Sequence, residues 1–373
     1  MNQPELSIQE NSTNSRLLGI DWCRGLAAYA VVLVHSGDET WGLPISQEAI
    51  AFRLLFYFAV PFFLATAFYF LTRKSTIDLS SKFWKSRIQR IVIPYVVWSV
   101  IYLIVRAIFF LAAHKPERLA ELFQDPLGLV FFGRASYQLY FLPLLLAGTS
   151  LLLVAKYLVD RKINLLGLTV IAVGGIAVNQ LIYTTGNGFQ LGEGIAFASL
   201  LKWIPGGIGY AIARVILVEI VWAIWCVPYI FTALILHRLL AKPESRLQPQ
   251  PLTILFLVLF ILTATFGKVW LPHSLQEVLV AYFLLLVGIF GSNHFKKSRL
   301  AASLGACSFG IYLIHPIPMN IVKVLLAKVF PSLAQQVSIA SMLAFSVSSF
   351  LLSWLIVSLL NRHKWLVKYV FGT

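Results

Sequence analysis

The 373-residue chain is 59% hydrophobic and only 12% charged, which excludes an ordinary soluble globular domain. Its formal net charge of +15 is spread along the chain, with no basic soluble domain, so a nucleic-acid-binding protein is excluded too. Cys23, Cys226 and Cys307 lie far apart in apolar segments and point to neither a disulfide framework nor a metal site.

In chain order, residues 1–16 form a polar N-terminal tail that is expected to be disordered. Apolar runs follow at 17–36, 49–72, 90–113, 137–158, 164–184, 208–238, 252–270, 276–292, 304–328 and 336–361. Each is long enough to cross ~30 Å of hydrocarbon at about 1.5 Å per residue. The fold predicted is all-α: a polytopic ten-helix membrane domain over 17–361, followed by a basic tail at 362–373. The first run is not expected to be a signal peptide, because Asp21 and Arg24 interrupt it. The sixth is long and suggests an interfacial turn near "WIPGGIGY" (203–210).

Basic residues test this map independently. The tails and the loops on one side of the predicted bundle carry 19 of the 30 Lys and Arg residues, among them Arg16, Lys82, Lys85, Arg87 and Arg90. The opposite loops carry six: Lys115, Arg118, Arg134, Lys202, Lys268 and Lys328. By the positive-inside rule both termini are expected in the cytoplasm, with an even number of spans.

The segment "DWCRGLAAYAVVLVHSG" (21–37) places three ionisable groups in or beside the first span, where each costs several kcal/mol. Arg24 and His35 are eleven residues apart, about three helical turns plus 20°. They therefore share one face, ~16 Å apart along the axis. Asp21 lies one turn before Arg24, at ion-pair spacing. Alone, Arg24 could snorkel inward and His35 could mark the water interface. All three on one span call for a shared purpose. Arg53, at the outer start of the second span, is placed to approach His35 or an anionic acceptor, or to anchor at the headgroups.

"RLLGIDWCRGLAAYAVVLVHS" (16–36) resembles the first helix of the acyltransferase-3 family, whose signature is an arginine, ten residues, then a histidine. Further segments are similar to that family along the chain: "AVPFFLATAFYFL" (59–71), "FWKSRIQRIVIPYVVWSVIY" (83–102), "YQLYFLPLLLAG" (137–148) and "SFGIYLIHPI" (308–317). The second segment has Thr66-Ala67 where the family usually has Ser-Gly, and the fourth has Gln138-Leu139-Tyr140 where it often has His-Leu-Trp.

The resemblance implies a multi-pass enzyme of a bacterial-type plasma membrane. It would move an acyl group, acetyl being the expected one, from cytoplasmic acyl-CoA to a hydroxyl of a cell-surface or lipid-linked glycan. Acyl-CoA is then a co-substrate, and no tightly bound cofactor is expected. His35 would be the general base, since histidine is the residue type suited to proton transfer near neutral pH. Arg24 would hold the donor through its guanidinium fork. Lys82, Lys85, Arg87 and Arg90 would meet the nucleotide phosphates or serve only as topology signals. Asp21, Arg53, Tyr312 and His315 are the remaining candidates for substrate contacts, and Asp38 and Glu39 are either solvated loop acids or neighbours that tune His35. The rival reading is a transporter or flippase for a lipid-linked sugar, although no paired repeat is found.

Overall fold

The structure is a computed structural model describing residues 16–37, 43–73, 77, 79–186, 203–204, 206–241, 249–295 and 297–372. The tail at 1–15, together with Asp38, Glu39, Lys74, Lys202, Lys242, Arg246 and Lys296, lies outside the described residues. The described residues are overwhelmingly helical, and their one β-type feature is an isolated parallel bridge between Ile45 and Val337.

The helices that matter for the site are α1 (Leu18–Ser36), α2 (Gln47–Leu54) and α3 (Ala59–Thr72). Next come α4 (Ser81–Arg87), a π-helical stretch (Ile88–Val92) and α5 (Ile93–Ala112), which together form one rod. This span begins nearly ten residues earlier than predicted, so Arg87 belongs to it rather than to a loop. Then follow α6 (Pro126–Phe131), α7 (Phe141–Ser150), α8 (Leu152–Asp160), α9 (Leu165–Thr184) and the long α10 (Ile208–Leu240). The chain continues through α11 (Pro249–Trp270), α12 (His273–Gly291), α13 (Arg299–Ile314), α14 (Pro316–Val329) and α15 (Ile339–Leu360).

The ninth predicted span is not straight. It breaks between α13 and α14 with a bend of 73°. Pro316 causes the break, because it lacks an N–H for the carbonyl four residues back and its ring clashes with that carbonyl. The two halves still carry the chain from one end of the bundle to the other. At the start of α13, the Ala302 carbonyl accepts from Arg16 beside the beginning of α1 (2.9 Å). Beyond α14, the Met342 carbonyl accepts from Ser36 at the opposite end of α1 (3.1 Å). The pair is therefore a broken crossing rather than a re-entrant loop. With it, the described residues contain ten candidate spans. At the end of α15, Asn361 donates to Cys307 in the middle of α13 (3.5 Å).

α1 is the centre of the packing and lies against α3, α12, α13 and α15. Its alanines Ala27, Ala28 and Ala30 are fully buried, and small residues let the neighbouring backbones come close. The tightest approach is to α13. A Cβ on Gly25 would meet the Leu304 side chain at 2.7 Å, and one on Gly305 would fall on the Asp21 carboxyl group.

Between α5 and α7, Asp125 ties the connecting loop to α10. Its carboxylate caps α6 at the Gly128 N–H (2.9 Å) and accepts from Arg134 (2.8 Å) and Arg214 (3.0 Å). Burial pushes this carboxyl up, but the Arg214, Gly128 and Arg134 hydrogen bonds outweigh it and hold it below the usual range. The tie is thus present above the ordinary carboxylate pKa and is lost only as pH falls through the lowered value.

Gly305→Ala is expected to destabilise the protein by about 1–3 kcal/mol, the usual cost of overpacking, read as a lower thermal midpoint in detergent. Gly174→Ala is the control, since nothing lies within 4 Å of its added Cβ, and it should leave the midpoint unchanged.

Candidate active site

The first turn of α1 holds a buried carboxylate. Asp21 is 8% exposed at its side chain, with Arg16 against Oδ2 and Arg24 Nη1 3.5 Å from Oδ1. The Asp21–Arg24 pair expected from the spacing is therefore present. Arg16, expected only as a topology charge, is a second partner. Placing the carboxylate at a helix N-terminus adds the favourable end of the helix dipole.

From this anchored turn, Arg24 reaches a cavity of about 420 Å³ that it shares with Arg87 and Arg90 of the adjacent span. The rest of the wall is mainly apolar, including Phe63, Phe70, Leu145 and Phe309, with Thr66 as a polar exception. The buried Thr66 Oγ1 and Arg87 Nε meet no hydrogen-bond partner among the described residues. Three guanidinium groups, with no carboxylate lining the cavity among the described residues, make this a cation-rich site.

Three turns further along α1, His35 lines a second cavity of about 460 Å³ at the other end of the bundle. Its ring packs on Tyr137 (centroids 4.2 Å apart) and stacks on His315 (5.4 Å). Arg53 is not in either cavity wall. Its Nη1 donates to the Gly37 carbonyl (2.6 Å), so this cation sits on the C-terminal end of α1, where it favours the helix dipole.

The broken helix supplies the partition between the cavities. Because Pro316 has no N–H, the Tyr312 carbonyl loses its helical donor, and His315 Nδ1 takes that place at 2.7 Å. That bond assigns the proton to Nδ1 and leaves Nε2 of the fully buried ring without a hydrogen-bond partner among the described residues. The next carbonyl, Leu313, accepts from Tyr102 (2.6 Å) and from the Gln138 side chain (3.1 Å). The Tyr312 hydroxyl in turn donates to the Gln138 carbonyl, and its ring packs edge-on against Phe63 and Phe141. Tyr312 lines both cavities. It stands between the arginine end and the histidine end.

A family model described as "Acyltransferase domain" matches residues 17–358, essentially the whole chain. The chain belongs to the acyltransferase-3 family. Comparison with curated proteins and with solved structures finds no match. As a member of this family the protein is a multi-pass membrane acyltransferase.

Of the residues singled out in the acyltransferase sequence, Asp21 and Arg24 come together at one end of α1, and His35 and His315 at the other, with Tyr312 between. Sequence reasoning missed Tyr137 as a neighbour of this machinery and singled out Gln138 only as a departure from the family pattern. It also missed Lys268, His273 and Glu277 in the wall of the His35 cavity. The spacing of His273 and Glu277, one helical turn apart, was a readable signal.

Arg24→Lys is expected to raise the KM for the acyl donor about 10- to 100-fold, the scale of a lost charge-assisted hydrogen bond, because an ammonium lacks the guanidinium fork. Steady-state kinetics with donor as the varied substrate checks this. An unchanged KM would reduce Arg24 to a partner of Asp21.

Proposed function

We propose that the protein transfers an acyl group, acetyl in the simplest case, from cytoplasmic acyl-CoA to a hydroxyl of a cell-surface or lipid-linked glycan. The observation that carries this reading is the pair of cavities at opposite ends of α1, cationic at Arg24 and carrying an imidazole at His35, with Tyr312 between them. Arg24, Arg87 and Arg90 suit the phosphates of the donor, and the free Thr66 hydroxyl and Arg87 Nε offer further polar contacts. The apolar walls of the same cavity suit the pantetheine arm. In this reading the membrane is a bacterial-type plasma membrane, and the basic-residue asymmetry favours a cytoplasmic position for this end and for both termini.

In this reading the donor's thioester reaches past Tyr312 toward His35. The acceptor hydroxyl oxygen attacks the thioester carbonyl carbon while the His35 imidazole takes the hydroxyl proton. The C–S bond breaks, the ester leaves with the glycan, and the CoA thiolate recovers a proton from the imidazolium. His315 and Tyr137 hold the His35 ring in position, and Asp21 keeps Arg24 fixed on its helix.

His35→Ala is expected to lower acyl transfer by about 10²–10⁴, the usual cost of losing a general base, with normal insertion into the membrane. Transfer of label from radiolabelled acetyl-CoA to glycan measures it, and activity within a few-fold of wild type would remove His35 from proton transfer. Orientation is tested separately, with the three native cysteines replaced. Trp270→Cys, on the His35 side, should react with an impermeant maleimide on intact cells, whereas Arg362→Cys should react only after permeabilisation. The reverse pattern would place the donor cavity outside.

A further inference from the structure

The wall of the His35 cavity away from α1 carries a group that proton transfer does not use. Glu277 is the one carboxylate lining that cavity among the described residues, and its side chain is 19% exposed. It is held rather than loose. Trp225 Nε1 donates to Oε2 at 3.3 Å, and His273 Nε2 lies 3.4 Å from Oε1, with the His273 ring stacked on Tyr183 (4.2 Å). Lys268 sits in the same wall, its ammonium 4.5 Å from the centre of the Tyr57 ring.

We infer that this wall is the acceptor subsite and that Glu277 makes it select an uncharged pyranose over an acidic sugar, with Lys268 moderating the preference. The inference rests on the acyl-transfer reading and goes beyond it by naming the class of acceptor. A carboxylate has about four lone-pair sites. The two contacts to Glu277 leave capacity to accept from hydroxyl groups of a ring, while Lys268 donates to hydroxyl oxygens. Aromatic rings fit the apolar faces of a pyranose, and Tyr57, Tyr183 and Trp225 supply them. A cavity of about 460 Å³ is of ligand-binding size. The formal charges of Glu277 and Lys268 cancel, in contrast to the three guanidinium groups of the Arg24 cavity. An acidic sugar would bring a second carboxylate beside Glu277, where like charges in a half-dry site are costly. A neutral ring brings only partners.

The test uses the full-length protein in nanodiscs with radiolabelled acetyl-CoA and two probes, methyl β-D-glucopyranoside and methyl β-D-glucopyranosiduronic acid. Wild type should acetylate the neutral glycoside with a kcat/KM about 10-fold or more above the uronide. Glu277→Gln keeps the shape of the side chain. It should raise the KM for the neutral glycoside about 10-fold, bring the two probes to near parity and leave the KM for acetyl-CoA unchanged. That donor KM also reports an intact fold. Lys268→Met should move discrimination the other way, further against the uronide, and carries the test if Glu277→Gln does not fold. A wild type that prefers the uronide overturns the inference. So does a folded Glu277→Gln with unaltered acceptor KM values, or Lys268→Met without the opposite shift. In those cases acyl transfer to sugars stands. If wild type acetylates neither glycoside, the acyl-transfer reading itself fails and the inference falls with it.

Discussion

A buried carboxylate in the first turn of a membrane helix must be compensated, and the compensation of Asp21 sets the geometry of everything around it. Arg16 and Arg24 converge on its two oxygens, and Gly305 lets α13 come close enough to bury the arrangement. Removing water from such a group costs several kcal/mol unless its partners are fixed. The ion pairs thus define where α1 starts, how it is rotated, and which way Arg24 points. Eleven residues on, the same rotation presents His35 to the opposite cavity.

The second constraint is the break in the penultimate span. A proline frees one backbone carbonyl, and in a membrane every freed carbonyl needs a donor. Here His315 serves the freed Tyr312 carbonyl, and Tyr102 and Gln138 donate to the next one, Leu313. Meeting that demand draws a histidine, two tyrosines and a glutamine into one junction beside His35, and positions Tyr312 as the partition between the cavities. The site is therefore built from the repair of a helix break. The two sides of the partition differ in charge: three guanidinium groups line one side, a cancelling carboxylate and ammonium the other.

Much of this was legible in the sequence because membrane spans declare themselves by length and apolarity. The ten runs appear as helices with shifted edges. The eleven-residue spacing of Arg24 and His35 translated directly into two ends of one helix, and the Asp21–Arg24 pair followed from a spacing of three. What sequence could not supply was whatever depends on contacts between distant segments. The partnership of Arg16 with Asp21, the stacking of His35 between Tyr137 and His315, and the placement of Arg53 on the end of α1 all need the packed bundle. Pro316 was visible, but a proline in a membrane helix can be tolerated as a mild kink. Only the packed structure shows a break of 73° here. The wall containing Lys268, His273 and Glu277 was hidden among residues that read as a short loop and a helix start.

The central claim is that donor and acceptor meet from opposite faces of the membrane, each in its own cavity along α1. Proteoliposomes with the protein inserted in one orientation, acetyl-CoA supplied on one face and a glycoside on the other, test it most directly. Acetylated glycoside should form when acetyl-CoA is on the Arg24 side and the sugar on the His35 side, and not when the two are exchanged. Equal product in both arrangements, or product only when both substrates share one face, would contradict the account.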